Sequence, residues 1–324
     1  MLKIDVNEGD VLLVKADVLA LKYAQASYGV DAIVLKKLIN LGPGVVLPEV
    51  GGIRLFDNVP GIAARSVLFV GVPPLEEFMY REIRQFARKA LSSLASRAPQ
   101  TALVAMTLHG AGYGLDEAEA FESEVAGIVD AYQDGDAPDA LEQVLIVEHN
   151  HGRATRLKSL LADLVPGGHI SGKRPEDNDP RNPTERLRAA GYASATKDHV
   201  FVAMPFKEEM EDVYHYAIQS AARAAGFICE RADMATFTGE VMGWVKSRIK
   251  SASLVVADLT DANPNVYLEV GYAWGCGVET VLLAKNVADL TFDVRAHRCL
   301  VYKTIKQLEE ALAKELEALK SLGG

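Results

Sequence analysis

The residues best suited to chemistry sit in one string, Val255-Val256-Ala257-Asp258-Leu259-Thr260-Asp261-Ala262-Asn263-Pro264-Asn265-Val266-Tyr267-Leu268-Glu269-Val270-Gly271-Tyr272-Ala273. Pro264 suits the first turn of a helix and Asn263 its cap. Glu269 then falls five positions into that helix among the apolar Val266, Leu268, Val270 and Ala273, so its carboxyl is expected to face a sheet or cleft. Burial of that kind raises a carboxyl pKa unless a cation such as Arg231 or a hydroxyl compensates. At about 1.5 Å per residue, Glu269 stands roughly 7 Å along the helix from Pro264, within reach of a ligand held at the strand edge. Tyr272, three residues on, shares its helical face and is placed to donate a hydrogen bond to it.

Other polar residues follow apolar segments in the same half. Met204-Pro205-Phe206 follows one, Glu230, Arg231 and Asp233 a second, Asp258, Thr260, Asp261 and Asn263 a third, and Lys285 with Asn286 a fourth. If these segments are strands of one parallel sheet, the turns converge on the rim where such sheets bind ligands. A small ligand bearing hydroxyls and a flat ring would find partners there, with Phe206 as an apolar wall. Plainer roles stay open: Glu269 as a structural carboxylate paired with a buried arginine, Asp258 as a turn cap, Arg231 and Asp233 as a surface ion pair.

Apolar His199–Ala203, Phe227–Cys229, Ser253–Ala257, Thr280–Ala284 and Cys299–Tyr302 read as strands. They alternate with helical stretches at Glu208–Ala225, Gly239–Ser251, Pro264–Trp274 and Ile305–Leu322. Such alternation predicts a doubly wound, mostly parallel sheet. In the first half, Val11–Val14, Ser66–Val70, Thr101–Met106 and Gln143–Val147 read as strands, with amphipathic helices at Phe78–Ala98, Asp116–Tyr132 and Arg153–Leu164. Between the halves, Pro166, Pro175, Pro180 and Pro183 lie among charged and amide residues, predicting an exposed connector. The expected organisation is a domain over 1–165, a linker over 166–197 and a second domain over 198–324, both domains α/β.

Composition narrows the partners. The 324 residues carry 34 Lys and Arg against 44 Asp and Glu, a net charge of -10, so no basic surface is expected to dominate binding to duplex nucleic acid. No apolar run approaches the roughly 18 residues of a membrane span, and the start carries Lys3, Asp5, Glu8 and Asp10, so a cytoplasmic, membrane-free protein is expected. Cys229, Cys276 and Cys299 form no CxxC pair, which argues against a disulfide framework or a cysteine zinc site. His149 and His151 bracket Asn150 without a third ligand in view, so no metal is expected. No cofactor is expected either: the glycine-rich Gly110–Gly114 turn lacks both a dinucleotide fingerprint and a P-loop lysine. Leu308, Leu312, Leu316 and Leu319 in the closing helix predict packing or a dimer surface.

Residues 198–303 resemble the nucleoside 2-deoxyribosyltransferase-like superfamily, itself related in fold to TIR domains that cleave NAD. The resemblance rests on Val200-Phe201-Val202-Ala203-Met204-Pro205-Phe206, on Arg231 with Asp233, on Ala257-Asp258-Leu259-Thr260, and most specifically on Asn263-Pro264-Asn265-Val266-Tyr267-Leu268-Glu269-Val270-Gly271-Tyr272-Ala273. It implies a flavodoxin-like Rossmann sheet in which Glu269 attacks the anomeric carbon, Asp258 holds the nucleoside and Tyr272 orients the glutamate. Asp293 would be a late recurring element, and Phe206, Arg231, Asp233, Asn263 and Asn265 would contact substrate. The implied substrate is a nucleoside, a nucleotide or an NAD-like molecule, and homo-oligomers are expected because relatives often complete their pockets from a neighbouring subunit. The chemistry is coherent, because a carboxylate beneath a ribose can bond to, or stabilise, an oxocarbenium-like carbon. Transferase, hydrolase and a pure binding sensor, as in bacterial defence signalling, all stay open.

The first half resembles the macro-type amino-terminal domain of leucine aminopeptidases. The matching residues are Ser66-Val67-Leu68-Phe69-Val70-Gly71, Tyr80-Arg81-Glu82-Ile83-Arg84, the segment His109–Glu119 and Val147-Glu148. Related macro domains bind ADP-ribose, and Gly110–Gly114 could offer backbone N–H groups to a diphosphate. Asp31-Ala32-Ile33-Val34, however, runs into Leu35-Lys36-Lys37 without the asparagine-rich segment of that family, and the peptidase's metal-binding half has no counterpart.

Overall fold

The computed structural model describes residues 1–40, 44–172, 183–231, 241–291, 294 and 297–323. The chain divides into two compact units. The first comprises Met1–Ala111 and Glu117–Ala195, the second Gly112–Asp116 and Thr196–Gly324.

The strands of the first unit are β1 (Leu2–Glu8), β2 (Val18–Tyr23), β3 (Ile53–Asp57), β4 (Ser66–Gly71), β5 (Leu103–Thr107), β6 (Gln143–Glu148) and β7 (His169–Ile170). They form one sheet in the order β3-β4-β2-β5-β6-β1-β7. The five inner strands are parallel and the two edge strands antiparallel to their neighbours. Its helices are α1 (Gly29–Ile39), α2 (Tyr80–Arg97), α3 (Glu117–Gln133), α4 (His151–Leu164) and α5 (Pro183–Ala189). One face of the sheet buries Leu19, Leu21, Val67 and Phe69 against Val34, Leu35 and Leu38 of α1.

Two expectations for this unit are corrected. Val11–Leu13 is a short 3-10 turn, because the Asp10 side chain caps it by accepting from the Leu12 N–H. The strands flank it instead: in β1, Leu2, Ile4 and Val6 are buried while Lys3, Asp5 and Asn7 are not, a two-residue period. β2 buries Lys22, whose ammonium is neutralised by Asp31 at 2.5 Å. The expected exposed connector also contains packed structure. Leu187 and Ala190 are buried, and the buried Arg84 donates to the carbonyls of Leu187, Arg188 and Ala190 while gripping Asp130 at 2.7 and 3.0 Å. At Gly127 on α3 an added Cβ would come 2.1 Å from the Arg84 carbonyl of α2, so glycine is what lets these helices approach.

The second unit holds β8 (His199–Ala203), β9 (Ile228–Glu230), β10 (Leu254–Asp258), β11 (Thr280–Ala284) and β12 (Cys299–Val301), ordered β12-β11-β10-β8-β9. All four pairings are parallel, so this is a doubly wound sheet of flavodoxin-like order. Its helices are α6 (Glu208–Asp212), continuing through a π-helical stretch (Val213–Ile218) into α7 (Gln219–Ala224), then α8 (Val241–Ser251), α9 (Pro264–Gly275) and α10 (Ile305–Gly323). Val200, Val202, Leu254 and Val256 pack with Ala217, Ile218 and Ala221 and with Leu308, Leu312 and Leu316 of α10. The inner strands, buried on both faces, read as unbroken apolar runs, which is why they were legible.

Candidate functional site

The order of the second sheet reverses between β8 and β10, and ligands of such sheets bind in the crevice outside the carboxyl ends at that reversal. β8 runs out into Met204, Pro205 and Phe206, and β10 ends on Asp258. A 3-10 turn over Thr260–Ala262 then leads into α9, which packs against β8, β10, β11 and α8. Asp261 and Ala262 take left-handed φ values of 62° and 51°, a conformation costly for non-glycine residues. The exposed Lys207 holds this turn by an ion pair to Asp261 at 2.6 Å, and the hydrogen bond it forms depresses the Asp261 carboxyl pKa. Asn263 caps α9, its Oδ1 accepting from the Asn265 N–H at 3.0 Å, and Asn265 is exposed.

α9 turns Val266, Val270 and Ala273 into the core and leaves Leu268 62% exposed. Glu269, between those faces, is half-buried. Its carboxyl has no hydrogen-bond or ion-pair partner among the described residues, and desolvation pushes its pKa up from 4.5 to about 7. The Tyr272 hydroxyl forms no hydrogen bond to Glu269 among the described residues, and the neighbouring Cys276 side chain, one turn on, pushes its phenol pKa up.

Asp258 is fully buried with both oxygens satisfied. Oδ1 accepts from the Thr260 N–H at 3.0 Å and Oδ2 from the Tyr302 hydroxyl at 2.6 Å. Burial, with the negative charge of Asp258 beside it, drives the Tyr302 phenol above its ordinary range and lifts the Cys299 thiol to about 11. Thr260 in turn accepts the Lys285 N–H at 3.1 Å, while Lys285 itself is exposed. The carboxyl ends of β10, β11 and β12 are thereby joined by one chain of hydrogen bonds.

Arg231 follows β9, with its guanidinium 4.0 Å from the Tyr214 ring centre and 5.4 Å from that of Phe206. Its Nη2 donates to both Glu211 oxygens at 2.9 and 3.1 Å. Burial alone would raise the Glu211 pKa, but the hydrogen bond of His215 and the charge of Arg231 pull it to about 2. Phe206 stays 37% exposed, presenting one ring face backed by this cation. Asp233 and Asp293 lie outside the described residues. Glu211, His215 and Tyr302 were missed in the sequence. The Glu211/His215 pair at i,i+4 was a usable signal, and Tyr302 directly after the last strand was another.

Within the second unit, the Gly114 carbonyl accepts the Arg231 N–H at 3.0 Å, and a Cβ at Gly114 would meet the Trp244 ring at 2.5 Å. That glycine serves close packing. His149 lies 3.2 Å from Glu148 and His151 2.9 Å from Glu8. Among the described residues no group of three His, Cys, Asp or Glu side chains is placed to hold a metal, and no helix is long and apolar enough to cross a membrane.

No protein-family model matches the chain, and no curated protein matches it. Solved structures similar to it are macrodomains. A Trypanosoma brucei macrodomain in complex with ADP matches at 15% identity over 49% of this chain and 69% of that one, with a TM-score of 0.39. An Oceanobacillus iheyensis macrodomain with MES bound matches at 13% identity over 50% and 92%, with a TM-score of 0.38. The macro domain of ganglioside induced differentiation associated protein 2 matches at 16% identity over 49% and 83%, with a TM-score of 0.35.

Proposed function

We propose that the second unit binds a nucleoside, nucleotide or NAD-like molecule at the β8/β10 crevice and breaks its N-glycosidic bond with Glu269 as nucleophile. The observation that carries this reading is the Glu269 carboxyl: half-buried, unpartnered among the described residues, and titrating near 7 on the helix that follows the strand at the sheet reversal. The resemblance of residues 198–303 to deoxyribosyltransferase-like proteins supports the same assignment. In the proposed reaction a Glu269 oxygen bonds to the sugar C1 as the C1–N bond breaks and its electron pair leaves with the base. The departing nitrogen takes a proton from a neighbouring acid, for which Asp233 is the proposed source; Asp258, with both oxygens occupied, is left to hold the strand ends. Water then hydrolyses the glycosyl ester, or a second base displaces it, so the partition decides between hydrolase and transferase. Phe206, stiffened by Arg231, offers a stacking surface for the base.

The test is incubation of the full chain with NAD, deoxynucleosides and nucleoside monophosphates, with chromatography for free base across pH 5–9. A nucleophile must be ionised, so the rate falls as pH drops below about 7 and Glu269→Gln abolishes release. A rate undiminished as pH drops well below 7 means Glu269 works protonated and refutes the nucleophile assignment. Absence of release together with tight binding favours the second reading, a nucleotide sensor. That reading draws support from Asp258, whose two oxygens are taken by Thr260 and Tyr302 and are not free for acid chemistry.

A further inference from the structure

The first unit contains a cavity of about 370 Å³ between the β3–β4 edge and one face of α2, within the roughly 300–1,000 Å³ of small-molecule sites. Val70, Val72 and Phe86, each almost wholly buried, close its floor, and Val50, 55% exposed, stands with Pro73 at its lip. The wall is set before any ligand arrives. Gly71 exchanges two backbone hydrogen bonds with the turn before β3, its N–H to the Gly52 carbonyl at 2.9 Å and its carbonyl from the Gly51 N–H at 2.8 Å. A Cβ at Gly71 would come 1.9 Å from the Glu49 carbonyl oxygen, so the turn is clamped against the strand as only glycine permits.

The charges on the wall are unequally committed. Arg88 is held by Asp134 and Asp136 at 2.9 and 2.8 Å. Glu82 is held by Arg81 Nε at 2.9 Å and by the Met79 N–H at 3.3 Å. Gln85 and Lys89, one helical turn apart on α2, line the same cavity, and neither side chain has a hydrogen-bond or ion-pair partner among the described residues. A cleft with an exposed apolar lip, one uncommitted cation and one uncommitted amide matches an organic anion: an apolar body against Val50 and Pro73, a carboxylate, sulfonate or phosphate on Lys89. We propose that this cleft is a binding site for a small amphipathic anion, separate from the crevice of the second unit and independent of the reading given for Glu269.

The experiment is a fluorescence titration of the full chain with 1-anilinonaphthalene-8-sulfonate, with octanoate and benzoate as competitors that distinguish an aliphatic from an aromatic body. The proposal expects one saturable class of dye site displaced by at least one competitor. Lys89→Glu should weaken binding about tenfold or more, Val50→Asp should weaken it as well, and Lys36→Glu, outside the cavity, should leave it unchanged. Both test positions are exposed, so loss of binding with an unchanged circular dichroism melt supports the site. Dye binding that does not saturate, or that Lys89→Glu and Val50→Asp leave untouched, overturns it.

Discussion

Glu269→Gln should leave the second unit as stable as the parent at pH 4.5 and more stable at pH 8. The folded protein lifts this carboxyl from 4.5 to about 7, so the folded state holds the proton more tightly than the unfolded chain does. The parent therefore loses stability as pH rises from about 4.5 to about 7, and above that the whole penalty for a desolvated carboxylate is present. The rise from 4.5 to about 7, at ~1.4 kcal/mol per pH unit, sets an upper bound of about 3.5 kcal/mol. Residual solvent access at a half-buried side chain reduces this to about 1–2 kcal/mol. The glutamine cannot titrate, so the stability difference between variant and parent should open across that window. Both tryptophans of the chain, Trp244 and Trp274, belong to the second unit, so urea unfolding followed by tryptophan fluorescence reports on the relevant half alone. A stability difference that stays flat from pH 4.5 to 8, or a parent more stable than the variant at pH 8, would refute the account of Glu269.

Two other substitutions test the packing around the sites. Tyr302→Phe removes the hydroxyl that donates to buried Asp258 at 2.6 Å and strands a carboxylate oxygen, so the same fluorescence assay should show a loss of about 2–4 kcal/mol. Gly127→Ala would stabilise an exposed helix by about 1 kcal/mol. Here the methyl would stand 2.1 Å from the Arg84 carbonyl, so the sign reverses and thermal unfolding by circular dichroism should show a loss of at least about 2 kcal/mol.

The second unit was the more legible because its inner parallel strands are covered on both faces, which writes each as a short apolar run such as Val200–Ala203 or Val281–Ala284. β1 was hidden by the opposite pattern, since Leu2, Ile4 and Val6 alternate with polar residues and look like a loop unless counted by twos. β2 was hidden by Lys22, whose burial depends on Asp31 nine positions away in the chain. Around Glu269 the cap and the helix were readable, being local. What could not be read was which distant side chain takes which polar group. Tyr302 reaches Asp258 across 44 positions and Glu211 reaches Arg231 across 20, and nothing in the spacing announces either pairing.

Helix α10 contributes Leu308, Leu312 and Leu316, all essentially inaccessible to solvent, to the core shared with β8, β10 and the helix that follows β8. During synthesis, a chain that has reached residue 300 already has every strand but the tip of β12, yet the part of the core that α10 closes is still wet. The first unit, finished by residue 195, can settle while translation continues. The second must wait for α10, with the apolar patch those leucines close left open until the last turn of the chain.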